Sequence, residues 1–240
     1  MIDVVSLLII KLIKIRLEGT ILMKYITFLL LTIGFSYTVS ASEQYRITLL
    51  RAAPGNLEQL INQVKDYRAH QKDELTIMRH SQGDQWDLMI LEPAGKKPTS
   101  MADFRTLADF QHSFLAQSET AWSNIKSDAL KSKLYHIEMF HAVHGKADAL
   151  LEQRRMENAY LAATQQQTNV IFETTFGSDV DSFTVGFHKD LSSFAQTPDL
   201  PSETFEKAAK DAGFKDRADL SYYLRKLLVS HHDTLAGRVD

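Results

Sequence analysis

Hydrophobic and polar positions along the chain follow two periods, and their order repeats. Tyr45–Leu50 alternates and predicts a strand. Ala52-Ala53-Pro54-Gly55 turns the chain, and Asn56 is placed to cap a helix with its side-chain oxygen. Leu57, Leu60, Ile61 and Val64 recur at helical spacing and predict a helix to about His70. Leu75–Arg79 and Trp86–Leu91 predict two more strands, separated by the turn residues Ser81-Gln82-Gly83-Asp84 and stopped by Glu92-Pro93. The order is βαββ, and Leu134 to Lys189 shows it again. An offset of 90 residues places Tyr45 on Tyr135, Ile47 on Ile137, Ala52 on Ala142, Gly55 on Gly145, Leu60 on Leu150, Gln63 on Gln153 and Ala69 on Ala159. Register held through strand, turn and helix marks an internal duplication, with a drift of a few residues in the second halves.

Between the repeats, Gly95–Thr99 is a loop and Ser100 with Asp103 resembles a capping pair. A long helix is predicted from there to about Lys133, carrying Phe104, Leu107, Ala108, Phe114, Leu115 and Trp122. After the second repeat, Asp199–Gly213 holds a short helix begun by Pro201 and Ser202 and stopped by Gly213. Asp216 or Asp219 caps a last helix, whose apolar stripe is Leu220, Tyr223, Leu224, Leu227, Leu228, His231 and Leu235. The expected division is an upstream extension and signal over 1–41, a first repeat over 42–133, and a second over 134–240 with the carboxyl-terminal helices.

The fold class is α+β, with tandem ferredoxin-like βαββ repeats. An antiparallel sheet with helices on one face leaves its other face to be covered, and two such sheets can cover each other as a barrel. The strings His144-Gly145-Lys146, Glu152-Gln153-Arg154-Arg155, Gly177–Phe187 and His231-His232-Asp233-Thr234-Leu235-Ala236 resemble the NIPSNAP-like branch of the dimeric α/β-barrel superfamily, which also holds antibiotic-biosynthesis monooxygenases. The resemblance implies a dimeric α/β-barrel-type architecture, closed within one chain or between two. Members differ widely in activity, so it implies no single reaction. Edge-strand pairing makes further homo-oligomerisation the expectation.

Composition narrows the function classes. Hydrophobic residues make up 44% of the chain, enough for a packed core, and net charge is -3. From residue 42 onward there are 23 basic and 28 acidic residues with no basic run, so a nucleic-acid footprint is absent. With no cysteine, disulfides, thiolate catalysis and Cys-based metal sites are excluded. Met23-Lys24, the apolar run Tyr25–Phe35 and the small residues Val39 and Ala41 compose a secretory signal peptide with cleavage after Ala41. The expected location is periplasmic or secreted, with no membrane association after cleavage. A second initiator-like methionine at Met23 suggests that residues 1–22 are an upstream extension.

Candidate chemistry comes from strand parity. One face of the second sheet collects Ile137, Met139, Val170, Phe172, Phe183, Val185 and Phe187, and should pack under the helices. The other collects His136, Glu138, Phe140, Ile171, Glu173, Thr175, Thr184, Gly186 and His188, and would face a barrel cavity. His136, Glu138, Glu173 and His188 are the candidate catalytic residues, with Thr175 and Thr184 beside them for ligand binding. The alternative is a solvated face or a domain interface. Arg154 and Asn158, among leucines on one helix, are a candidate ligand anchor or a structural ion pair. His141 and His144 form an H-x-x-H pair in a turn, a weak metal signal, and no metal site is assigned. His231 is a candidate haem ligand or a core histidine, and the cofactor is left open.

The leading expectation is an exported barrel that binds a small molecule, of monooxygenase or isomerase type if it is an enzyme. It predicts a hollow, polar-lined barrel. A non-catalytic protein-interaction or stress-associated module predicts a filled barrel and an exposed apolar patch. Haem binding is the third. No nucleophile constellation and no glycine-rich phosphate loop is present.

Overall fold

The computed structural model describes residues 42–71, 74–95 and 104–240. The signal segment, the residues upstream of it and the Ser100/Asp103 pair lie outside the described residues. In chain order the elements are β1 (Glu43–Ala52), α1 (Leu57–His70), β2 (Thr76–Gln82), β3 (Leu88–Pro93), β4 (Ala108–Ser118), α2 (Trp122–Lys131), β5 (Leu134–Ala142), α3 (Ala147–Ala163), β6 (Asn169–Phe176), β7 (Ser182–His188), α4 (Leu191–Ala195), α5 (Ser202–Asp211), α6 (Asp219–Leu227) and β8 (Leu228–Arg238).

The eight strands close into one barrel in the order β1-β3-β2-β8-β5-β7-β6-β4, with every described pairing antiparallel. Each repeat supplies four strands. The two seams are β4 against β6 and β2 against β8. Closure within one chain leaves none of these eight strands with a free edge, so the edge pairing expected to make oligomers is not available to them.

The duplication extends to hydrogen bonds. Gly55 and Gly145 both hold positive φ, at 86° and 73°, where the chain turns into α1 and α3. The amide of Ala52 donates to Asp87 Oδ2 at 2.7 Å, and the amide of Ala142 donates to Asp181 Oδ2 at the same distance. Asn56 stands at the expected cap position of α1, but its side chain makes no capping bond. Its backbone amide and carbonyl close the turn instead, bonding Ala53 O and the Leu60 amide at 2.9 Å each.

Two predicted helices are strands over part of their length. Residues 104–118 satisfy helical spacing, yet Ala108–Ser118 is β4, hydrogen-bonded along β1 with Ile47 opposite Phe114. Helix begins only at Trp122. The stripe through Leu227, Leu228, His231 and Leu235 likewise breaks after Leu227, and β8 pairs with β5 and β2. In both places an apolar spacing of three and four coexists with alternation, and the barrel's unpaired edges decide the outcome. The helix before Gly213 forms as expected, with Gly213 at φ 104°. At the start of α6, Asp216 Oδ1 accepts the Asp219 amide at 2.9 Å.

The two faces of the second sheet lie opposite to expectation. Ile137, Met139, Val170, Phe172, Phe183, Val185 and Phe187 point into the barrel, where they meet Tyr45, Ile47, Met89, Leu91 and Phe114 of the first repeat. Phe172 and Phe183 stack at 4.5 Å between ring centres, and Tyr45 packs edge-on to Phe172 at 5.3 Å. The barrel is filled. The polar face turns outward, beneath α3. Two apolar sheet faces bury more area against each other than either would under amphipathic helices with charged residues, which is why the apolar set faces inward.

Candidate functional site

The outward face of the second sheet is covered on one side by α3 and on another by α4 and the segment after it. Between them lies a cavity of about 560 Å³, lined by His136, Glu138 and His188 from the sheet, Glu157 and Leu161 from α3, Gln165–Gln167 and Asn169, and Ser193, Phe194, Gln196, Pro198 and Asp199. Strand alternation explains the floor. His136 and Glu138 are two apart on β5, and cross-strand register sets Gly186 beside His136 and Thr184 beside Glu138.

Glu138 is the electrostatic centre. Arg154, buried on α3, places Nη1 3.6 Å from Glu138 Oε2, bonds Glu157 through Nη2 and Gln153 Oε1 through Nε at 2.7 Å, and lies over the Phe140 ring at 4.9 Å. Thr184 Oγ1 donates to Glu138 Oε2 at 3.3 Å. Burial outweighs the pull of Arg154, and the neighbouring Glu157 and Asp233 add repulsion, so the Glu138 carboxyl is pushed up to about 7. Burial lowers the pKa of His136, against the pull of Asp233 and Glu157. His188 is lowered by burial and by His136. Phe194 packs against both imidazoles, with ring centres 5.1 and 5.0 Å away.

The structure therefore brings together His136, Glu138, His188, Arg154 and Thr184. It separates the others. Glu173 accepts a bond from Gln117 Nε2 at 2.7 Å across the β4–β6 seam, away from the cavity, and Thr175 is exposed. Asn158 works as a clamp: its side chain donates to Asn169 O at 2.7 Å and accepts the Asn169 amide at 2.9 Å. His141 bonds Ser230 and pairs with Asp179 at 3.7 Å, while His144 is exposed; neither reaches the cavity. His231 sits on a strand, stacked on Phe140, with Nε2 3.3 Å from Asp233 Oδ2 and outside the cavity lining. That donor arrangement does not fit a haem held through His231.

Sequence reasoning missed Asp233, Glu157 and Phe194. Asp233 faces Glu138 across β5 and β8, a relation that alternation reveals once 228–238 is known to be a strand. Comparison of the repeats shows why, among the described residues, this outer sheet face is open in the second and closed at the matching place in the first. Arg46 and Glu92 are paired across strands in the first repeat as His136 and Gly186 are in the second. Glu92 fills its face, accepting from Arg46 at 3.3 Å and from Tyr67 at 3.1 Å, and the space left is about 10 Å³. Gly186 has no side chain to do this. A Cβ there would approach Asn169 Oδ1 to 2.7 Å and His188 Nε2 to 2.9 Å. Gly186→Ala is expected to cost about 1–3 kcal/mol and to displace the His188 ring, read as a shift of its NMR resonances with the barrel intact.

No family model matches the chain, and no curated protein does. Solved structures do. A candidate monooxygenase from Fusobacterium nucleatum superposes with a TM-score of 0.54 at 10% identity, over 83% of this chain and 94% of that one. A candidate chlorite dismutase gives 0.51 at 12% identity, covering 83% and 96%. An anthrone oxidase-like protein gives 0.50 at 11% identity, covering 83% and 92%. The chain has the dimeric α/β-barrel fold, with both four-stranded halves supplied by one polypeptide.

Proposed function

We propose that the second repeat binds a small organic molecule in its outer cleft, over His136 and His188. The observation that carries this is the asymmetry between repeats: the face is plugged by Glu92 in one, while in the other Gly186 stands at the matching position and a cavity lies over His136 and His188. A cavity of this size, lined mostly by polar side chains with Phe194 as an aromatic wall, has room for a small polar ligand. The finer reading is an enzyme of isomerase or monooxygenase type, in which a half-buried, neutral imidazole exchanges a proton with the ligand. The structural neighbours described as monooxygenases and the second-repeat strings resembling the NIPSNAP-like branch support that class. The Met23–Ala41 pattern supports export, which the mass of the mature amino terminus tests. Any assembly with further copies would use helices or loops.

The test is saturation-transfer NMR with phenol and cyclohexanone on the chelator-treated protein. Both are expected to bind and to perturb the rings of His136 and His188, and Gly186→Glu, which installs the first repeat's plug, is expected to abolish this in a folded barrel. Deuterium exchange α to the cyclohexanone carbonyl, lost in His188→Ala, would mark the isomerase type; dioxygen uptake with phenol would mark the other. A second reading, a protein-interaction module, has the filled barrel and the exposed Phe176, Leu191 and Tyr222 in its favour. Failure of both probes to bind would move it forward.

A further inference from the structure

We propose that His136, Glu138 and Asp233 bind a divalent metal ion, through one imidazole nitrogen and two carboxylate oxygens. Among the described residues these three form the group whose ligating atoms all lie within 4.8 Å of one another. Their placement is set by the fold. His136 and Glu138 alternate onto one face of β5, and Asp233 is the register partner of Glu138 on β8. His136 Nε2 and Asp233 Oδ1 stand 3.7 Å apart, too far for a hydrogen bond between them. It is a separation that small side-chain rotations bring around an ion with bonds of about 2.0–2.2 Å.

Two further features favour an ion. The first is orientation by neighbours. Thr184 and Arg154 both engage Oε2 of Glu138, and His231 engages Oδ2 of Asp233, so each carboxylate is held on one oxygen with the other left for coordination. The second is charge. Glu138, Glu157 and Asp233 stand against a single guanidinium, Arg154, whose charge is already shared with Glu157. With Glu138 ionised, two negative charges are left, which a divalent cation balances. The opposite side of the group opens on the cavity, because His136 and Glu138 line it, so water or a ligand has access to the remaining coordination positions. One imidazole with two carboxylates suits manganese, iron(II), cobalt or zinc.

The site shares its cleft with the organic ligand proposed above but rests on the coordinating atoms alone. The test therefore uses the metal by itself, while the organic probes above are applied to chelated protein, so the two proposals fail separately. Manganese(II) is titrated into the full chain after chelation and removal of the chelator, with bound metal counted by equilibrium dialysis and paramagnetic broadening of the histidine rings followed by NMR. One equivalent is expected, with His136 broadened first. Affinity is expected to fall about tenfold or more in Asp233→Asn and in Glu138→Gln, and to be unchanged in Asp179→Asn, which alters an exposed carboxylate beside His141. Asp233 is itself more than half exposed, so its variant keeps the fold even if Glu138→Gln does not. No binding in the wild type, binding undiminished by Asp233→Asn, or broadening centred on His141 would each overturn the proposal.

Discussion

Replacing Phe172 with alanine is expected to cost about 3–5 kcal/mol of stability. The side chain is fully buried, stacked face to face on Phe183 and met edge-on by Tyr45 of the other repeat. Its removal leaves a cavity at the centre of the barrel, where eight hydrogen-bonded strands resist collapse into the space. It also removes a stacked aromatic pair, which adds to the loss of buried area. Urea unfolding should show a lower midpoint with little change in slope. Phe176 on the same strand is the control. It is 76% exposed, and Phe176→Ala should change stability by no more than about 0.5 kcal/mol. A loss near 1 kcal/mol for Phe172→Ala would mean that the barrel is loosely filled.

Glu138 is expected to make the protein less stable as pH rises from about 4.5 to 7. Its carboxyl titrates near 7 in the folded chain against 4.5 ordinarily. Between those values the folded protein holds a proton that the unfolded chain has released, so raising pH favours unfolding. Below 4.5 both states are protonated and the effect vanishes; above 7 it is complete, at about 3 kcal/mol for a rise of this size. His136 and His188, whose pKa values burial lowers, act in the opposite direction below the usual histidine range, because there the unfolded chain binds the extra protons. The measurement is therefore a difference. Unfolding free energies of the wild type and Glu138→Gln, in chelator, should diverge across pH 4.5–7, with the variant gaining. Parallel profiles would place the Glu138 carboxyl in its ordinary range.

Local pattern identified most elements because most are locally consistent. The strands at Tyr45 and Tyr135, the helices after Gly55 and Gly145, and the βαββ order in both halves are where periodicity puts them. Residues 108–118 and 228–238 went the other way for one shared reason. Each carries an apolar spacing that a helix tolerates, and each completes a sheet by filling an edge next to β1 or β5. Pairing with a strand more than 50 residues distant outweighs a local preference of a few tenths of a kcal/mol per residue.

The candidate site divides in the same manner. Parity alone grouped His136, Glu138, Thr184 and His188 on one face, because alternation is a property of the backbone. Parity does not say what covers that face. The inside of the barrel and the underside of α3 are equivalent to a single strand, and the choice depends on how much apolar area two sheets bury together. Glu157 and Phe194 reach the cleft from two different helices, and Asp233 reaches its floor residues His136 and Glu138 from a strand far along the chain. Duplication, fold class and the grouping of these residues on one face were thus settled by the sequence itself; which way that face points was not. The filled interior, the outer cleft opened by Gly186 and the meeting of Asp233 with His136 and Glu138 were decided by tertiary structure, because each arises from packing between elements whose order along the chain carries no record of their distance in space.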